Sequence, residues 1–310
     1  MDVKTAKAAY KAELLSSAGI HYDRLSIIRK PLLIIDNVIA CLSLEYFAQQ
    51  IGDQLYWKCL EHLDKKDRKL GDKFTRFYGE LFHVYISEIF NRIYSERYRS
   101  EVSFTVGNEC GKLDGIILYP NSVIIIETKS SQLKYNVKTT GDHQIFEGDL
   151  NKIMLGTEDG AKQLSVACKA IRQGVLNTVF GVDISRHVIY PVLVLTEILP
   201  LEPLSWDYYA SKIEEGGWFS EQNIKPLSIF DVEEVELIEA VSESSMTLEE
   251  MLYNKTKRQI DCAMPMKNYI LQQQTKGTRT NKTLIQSFKT ELNEASKIIF
   301  GKELEIKNGT

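Results

Sequence analysis

The sequence predicts an α/β protein, a central mixed sheet flanked by helices. Two runs of β-branched and aromatic residues, 116–119 and 123–126, are separated by Pro120-Asn121-Ser122 and read as a hairpin. Both runs are apolar on both faces, which asks for helices on either side of the sheet. Segments with helical apolar spacing, 73–94 before the hairpin and 161–174 after it, supply those helices.

In chain order, residues 1–70 read as a helical lid or dimerisation element. Residues 32–50 form an apolar run interrupted by Asp36 and Glu45, and 54–69 is amphipathic with a basic end. In 73–94, Phe77, Leu81, Val84, Tyr85 and Phe90 recur at roughly helical spacing. Residues 102–106 predict a first strand, and 107–112 a turn into Asp114. After the hairpin comes a polar stretch, 130–160, carrying Lys134, Lys138, His143 and Lys152. A connection of that length inside a compact domain carries structure or function, so a short helix over 144–155 and a substrate-facing loop are expected. In 161–174, Leu164, Ala167 and Ile171 share one side with Val175, and Gly174 is a natural stop. Residues 188–196 predict a buried strand closing the core, and 224–230 an edge strand.

The chemistry gathers at the hairpin. Asp114 stands just before its first run, and Glu127-Thr128-Lys129 follow its second. Alternation puts Val123, Ile125, Glu127 and Lys129 on one face of the strand and Ile124, Ile126 and Thr128 on the other. If Asp114 opposes Glu127 or Lys129, all three charges meet on one patch, and that needs an even connecting loop, either Pro120-Asn121 alone or 120–123. Charges at the end of a sheet covered on both faces must be solvated, paired or bound to an ion. Asp114 and Glu127 can together hold a hard divalent cation, with the Thr128 backbone carbonyl as a further ligand. Such an ion lowers the pKa of a bound water and neutralises charge on a phosphodiester. Lys129 then positions or deprotonates that water, or offsets the growing charge.

Asp114, followed after twelve residues by Glu127-Thr128-Lys129, resembles the PD-(D/E)XK phosphodiesterase superfamily. Leu113 stands where the motif has its leading proline. The resemblance, over about residues 74–196, implies a restriction-endonuclease-like αβββαβ core, Mg²⁺ or Mn²⁺ as cofactor, and Asp114, Glu127 and Lys129 as the catalytic set. The helix before the strands in that family often lends a glutamate to the metal, for which Glu80 is the matching position and Glu88 stands two turns on. Gln163 matches a glutamine that touches the attacking water or the phosphate in several subfamilies. Those carry a tyrosine four residues later, and this chain has Ala167. The implied division is a helical element over 1–70, the nuclease-like core over 71–235, and a basic helical extension over 236–310.

Charge is unevenly spread. Between Leu195 and Glu250 there are fourteen acids against Lys212 and Lys225, and from Met251 to Thr310 eleven Lys or Arg against five acids, which the net charge of −4 conceals. The acidic block, with Glu233, Glu234, Glu236 and Glu239, reads as an exposed helix face. The basic segment reads as a solvated helical tail packed on that block, or as a track for a nucleic-acid backbone. No stretch of eighteen apolar residues and no signal-peptide pattern is present, so a cytoplasmic protein is expected. Five scattered cysteines, without C-x-x-C spacing, point to neither zinc nor a disulfide framework. P-loop, G-x-G-x-x-G and H-E-x-x-H signatures are missing. The function expected is a metal-dependent nuclease acting on DNA, more than on RNA, as a homodimer or beside a partner protein, with defence against foreign DNA as the role suggested by analogy. The alternative is a non-cleaving module of the same fold that binds nucleic acid or scaffolds a complex.

Overall fold

The computed structural model describes residues 4–8, 11, 31–35, 38–44, 47, 53–107, 109–133, 143–156, 160–197, 199, 203–242, 246–273 and 281–300. Two compact units divide it, Met1–Tyr78 and Gly79–Thr310.

The first unit holds an antiparallel hairpin of β1 (Leu32–Ile35) and β2 (Val38–Cys41), then α1 (Asp53–Lys66) and the start of α2 (Arg68–Tyr94). The helical reading of 32–50 is therefore corrected over its first part, while the described Leu44 and Phe47 are helical. Leu-Leu-Ile-Ile and Val-Ile-Ala-Cys flank Asp36-Asn37 in sequence, and Ile35 pairs with Val38. A turn-forming pair between two β-branched runs outweighs overall apolarity. Tyr56, Phe74 and Tyr78 cluster in this unit, with the Tyr56 and Tyr78 ring centroids 4.6 Å apart.

The second unit is built on a five-stranded sheet of β3 (Tyr98–Val106), β4 (Glu109–Leu118), β5 (Ser122–Lys129), β6 (Val188–Leu195) and β7 (Ser228–Asp231), in that spatial order. The first three strands run antiparallel and the last two pairings are parallel, so the sheet is mixed. The expected turn over 107–112 shrinks to its first residues, because β4 already begins at Glu109. β7 is the edge strand expected near 224–230. Pro191 sits in β6 without breaking it. The Ile189 N–H points toward the β7 side, to the Asn223 carbonyl, so the N–H that Pro191 lacks falls where β7 has not yet begun.

Alternation along β5 sorts its apolar residues into two cores. Val123 and Ile125 pack with Leu164, Ala167 and Ile171 of α4 (Ala161–Arg172), while α3 (His143–Leu150), continued by a π turn over Asn151–Leu155, adds Leu150 and Met154. Ile124 and Ile126 pack with Phe82, Ile86 and Phe90 of α2 and with helices from the C-terminal part: α5 (Val232–Ser242), α6 (Leu248–Lys255) and α7 (Met266–Gln273). The helices α5, α6 and α7 thus cover one side of the sheet. The charged face expected of α5 is likewise corrected. Glu234 is buried, Tyr85 donates to Glu236 at 2.5 Å, and Arg92 donates to Glu239 at 2.7 Å. Asp231 and Glu234 each accept the other's backbone N–H, a reciprocal cap that starts α5.

Candidate functional site

The β4–β5 register is the convergent one. Leu118 pairs with Val123 and Gly115 with Ile126, and the Tyr119 N–H donates to the Ser122 carbonyl at 2.9 Å, leaving Pro120-Asn121 as a two-residue connection. One step further along this register stands Asp114 opposite Glu127, and there the ladder stops. The Asp114 carboxylate takes over from the main chain: its Oδ2 accepts the Thr128 N–H and the Thr128 hydroxyl, each at 2.7 Å.

Leu113 and Ile116 fall in the same core, although strict alternation would separate residues three apart. β4 therefore turns over at Asp114-Gly115. Its neighbour β3 does the same, with Tyr98 in one core, Val102 in the other, and Glu101 between them at φ +56°. The Asp114 carboxylate is turned to the Thr128 N–H and hydroxyl, while Glu127 and Lys129 pair at 3.0 Å. Lys112, two residues before Asp114 on β4, feels the negative charge of Asp114 and of Glu127.

Three residues outside the expected set stand near Asp114. His83 of α2 brings Nδ1 to 3.5 Å from Asp114 Oδ1 and Nε2 to 3.8 Å from Glu101 Oε1. Lys112 donates to Glu101 at 2.7 Å, and this hydrogen bond, ahead of the nearby carboxylate charges, holds the ammonium above the usual lysine range. The same contact holds Glu101 below the usual carboxylate range. His83 follows Glu80 by three residues and so stands one helical turn from it on α2, a position the sequence reading did not single out. Glu101 and Lys112 carried no signal, since cross-strand pairing at an irregular ribbon cannot be read from spacing.

Of the remaining candidates, Glu80 is exposed on α2 one turn before His83, and Glu88 is exposed further along. The helix passes close to the end of β5 here: a Cβ on Gly79 would lie 3.2 Å from Ser130 Oγ. Gln163, in the first turn of α4, donates Nε2 to the Lys112 carbonyl at 2.6 Å and so fastens β4 just ahead of Asp114. Beyond Lys129 the chain is tied to the end of β6 by the Thr196 hydroxyl to the Ser130 carbonyl and by the Leu133 N–H to the Glu197 carboxylate. The expected helix over 144–155 is present, beginning at His143, and Lys152 on it is exposed. Lys134 and Lys138 lie outside the described residues. Among the described residues no helix is long and apolar enough to cross a membrane.

Compared with family models and with curated proteins, the chain matches none.

Proposed function

We propose that the chain is a metal-dependent nuclease of the PD-(D/E)XK type, with a restriction-endonuclease-like core, hydrolysing phosphodiester bonds in DNA. The observation that carries the reading is the opening of the β4–β5 ladder at Asp114, beside the Glu127–Lys129 pair. The order helix, three antiparallel strands, helix, parallel strand around it supports the same reading.

The donor set fits a hard cation, since the Asp114 and Glu127 carboxylates and the Thr128 carbonyl all offer oxygen. Among the described residues no group of three or more His, Cys, Asp or Glu side chains forms a metal cage, and magnesium, which keeps several waters, does not require one. Bound there, Mg²⁺ or Mn²⁺ would lower the pKa of a water and neutralise phosphate charge. The chain's own residues do the rest. Thr128 orients the Asp114 carboxylate by two hydrogen bonds. Lys129, held by Glu127 and largely shielded from solvent, supplies a positive group against charge that builds on the phosphate. Gln163 acts by fixing the β4 backbone, and Glu80 stands on the helix face of His83, at the rim.

Supercoiled plasmid incubated with the protein and Mg²⁺ should be nicked or degraded, and Lys129→Ala should lower that rate about a hundredfold or more while the melting temperature holds. Undiminished activity in the variant refutes the assignment. A second reading, a non-cleaving module of this fold that binds nucleic acid or scaffolds a complex, is favoured by the net charge of −4.

A further inference from the structure

Lys112 stands two residues before Asp114 on β4, opposite Ser103, and Glu101, two residues before Ser103 on β3, reaches it diagonally. Their side chains are 50% and 57% exposed, and the Lys112 ammonium donates to Glu101 Oε1 at 2.7 Å. Glu101 takes the left-handed φ of +56° inside an otherwise extended strand, an uncommon conformation for a residue with a Cβ. That backbone brings one carboxylate against two groups that border the candidate site, Lys112 and His83. In effect the protein neutralises its own cation at the entrance.

An exposed Lys–Glu pair is weak, because water screens it and two long side chains lose freedom to make it. A lysine that meets a polynucleotide phosphate releases a condensed counterion and gains where the carboxylate pair does not. Exchange of Glu101 for phosphate is therefore downhill. Lys112 also ends an open groove of about 520 Å³ on the β3–β4 ribbon, lined by Ser103, Phe104, Thr105, Cys110 and Gly111. The Phe104 ring occupies the space a Cβ on Gly111 would need. Cys110 lies exposed along it.

We propose that Glu101 gates Lys112: it holds the lysine in the free protein, and a phosphate of a bound polynucleotide takes the lysine over, the strand lying along the β3–β4 groove toward Asp114. This rests on the nucleic-acid reading of the site given above.

The test is binding of a fluorescent oligonucleotide, single- or double-stranded, without divalent metal so that no cleavage intervenes. Wild type, Glu101→Gln, Lys112→Gln and the double variant are compared across a salt series, each checked for an unchanged melt. Glu101→Gln should bind about two- to fivefold tighter, the worth of an exposed ion pair. Lys112→Gln should bind more weakly, with the slope of log affinity against log salt smaller by about one. The double variant should match Lys112→Gln, since the carboxylate acts only through the lysine. In a Cys41→Ser, Cys59→Ser background, bound oligonucleotide should slow alkylation of Cys110. If the variants keep wild-type affinity and salt slope and Cys110 stays reactive, the gate is overturned while the nuclease reading still stands on plasmid cleavage. If no form binds any oligonucleotide, both fall.

Discussion

Asp114 does two jobs at once. It ends the β4–β5 ladder, and it replaces the missing main-chain bond with a side-chain one to Thr128. Thr128→Val keeps the strand but removes the hydroxyl that orients the carboxylate. Mn²⁺ affinity should then fall roughly tenfold, as for other losses of a group that orients a metal ligand. Gly115, next along, has its role imposed by Tyr98: a Cβ there would sit 2.7 Å from the ring, which is buried and hydrogen-bonded to Ser87 at 3.2 Å. Gly115→Ala should cost about 1 to 3 kcal/mol by forcing that ring aside, readable in a urea melt. The motif residues themselves were legible because carboxylates and an ammonium at the end of apolar strands lack a packing explanation. The turn-over of β4 at Asp114-Gly115 was not legible, since it accompanies a left-handed residue, Glu101, in the neighbouring strand.

On α2 Phe77, Leu81 and Val84, read as part of its apolar face, are exposed, and Phe82, Ile86 and Ile89 are buried with Phe90 instead, whereas the strands followed the period of their apolar residues closely. β5 is the clearest case, with Val123 to Ile126 buried on both faces and sorted by alternation into two cores. Ile125→Ala should therefore cost about 2 to 5 kcal/mol, since rigid strands on either side cannot collapse into the void. Where the pattern misled, a local rule had lost to a tertiary one. The glutamates of α5 resemble a solvated face by composition, but Tyr85, Arg92 and the cap of Asp231 draw them inward. Burial raises the Glu234 carboxyl to about 7, against the backbone N–H groups of Asp231 and Lys267 that favour its charge. The folded state then holds a proton that the unfolded chain releases near its ordinary value of 4.5. Its contribution is full below that value and is lost as pH rises through about 7. Melts between pH 5 and about 8 should fall with pH in the wild type, and Glu234→Gln should flatten that fall.

Over the whole molecule, the opposed charge blocks seen in sequence prove to be partners within one fold. Lys267 bonds Glu233 at 3.0 Å, and Asn281, leading into the helix Lys282–Phe300, bonds Glu239 at 2.9 Å. The basic C-terminal segment therefore spends part of its polar surface on the acidic helix of its own chain, and among the described residues Lys112 and Lys129 are lysines placed beside the candidate carboxylates. Buried Leu248, Met251, Leu252 and Tyr269 make the same point in apolar terms, because that segment completes a core. The charge counts had pointed to a tail packed on that block, but not to the apolar core it completes, which leaves no mark in charge. Central to the proposed function is a divalent cation held between Asp114 and Glu127. Calorimetric titration with Mn²⁺ tests it most directly: wild type should take up the ion, and Asp114→Asn and Glu127→Gln, each still folded by melt, should lose that uptake. Uptake that is absent from the wild type, or that survives in both variants, contradicts it.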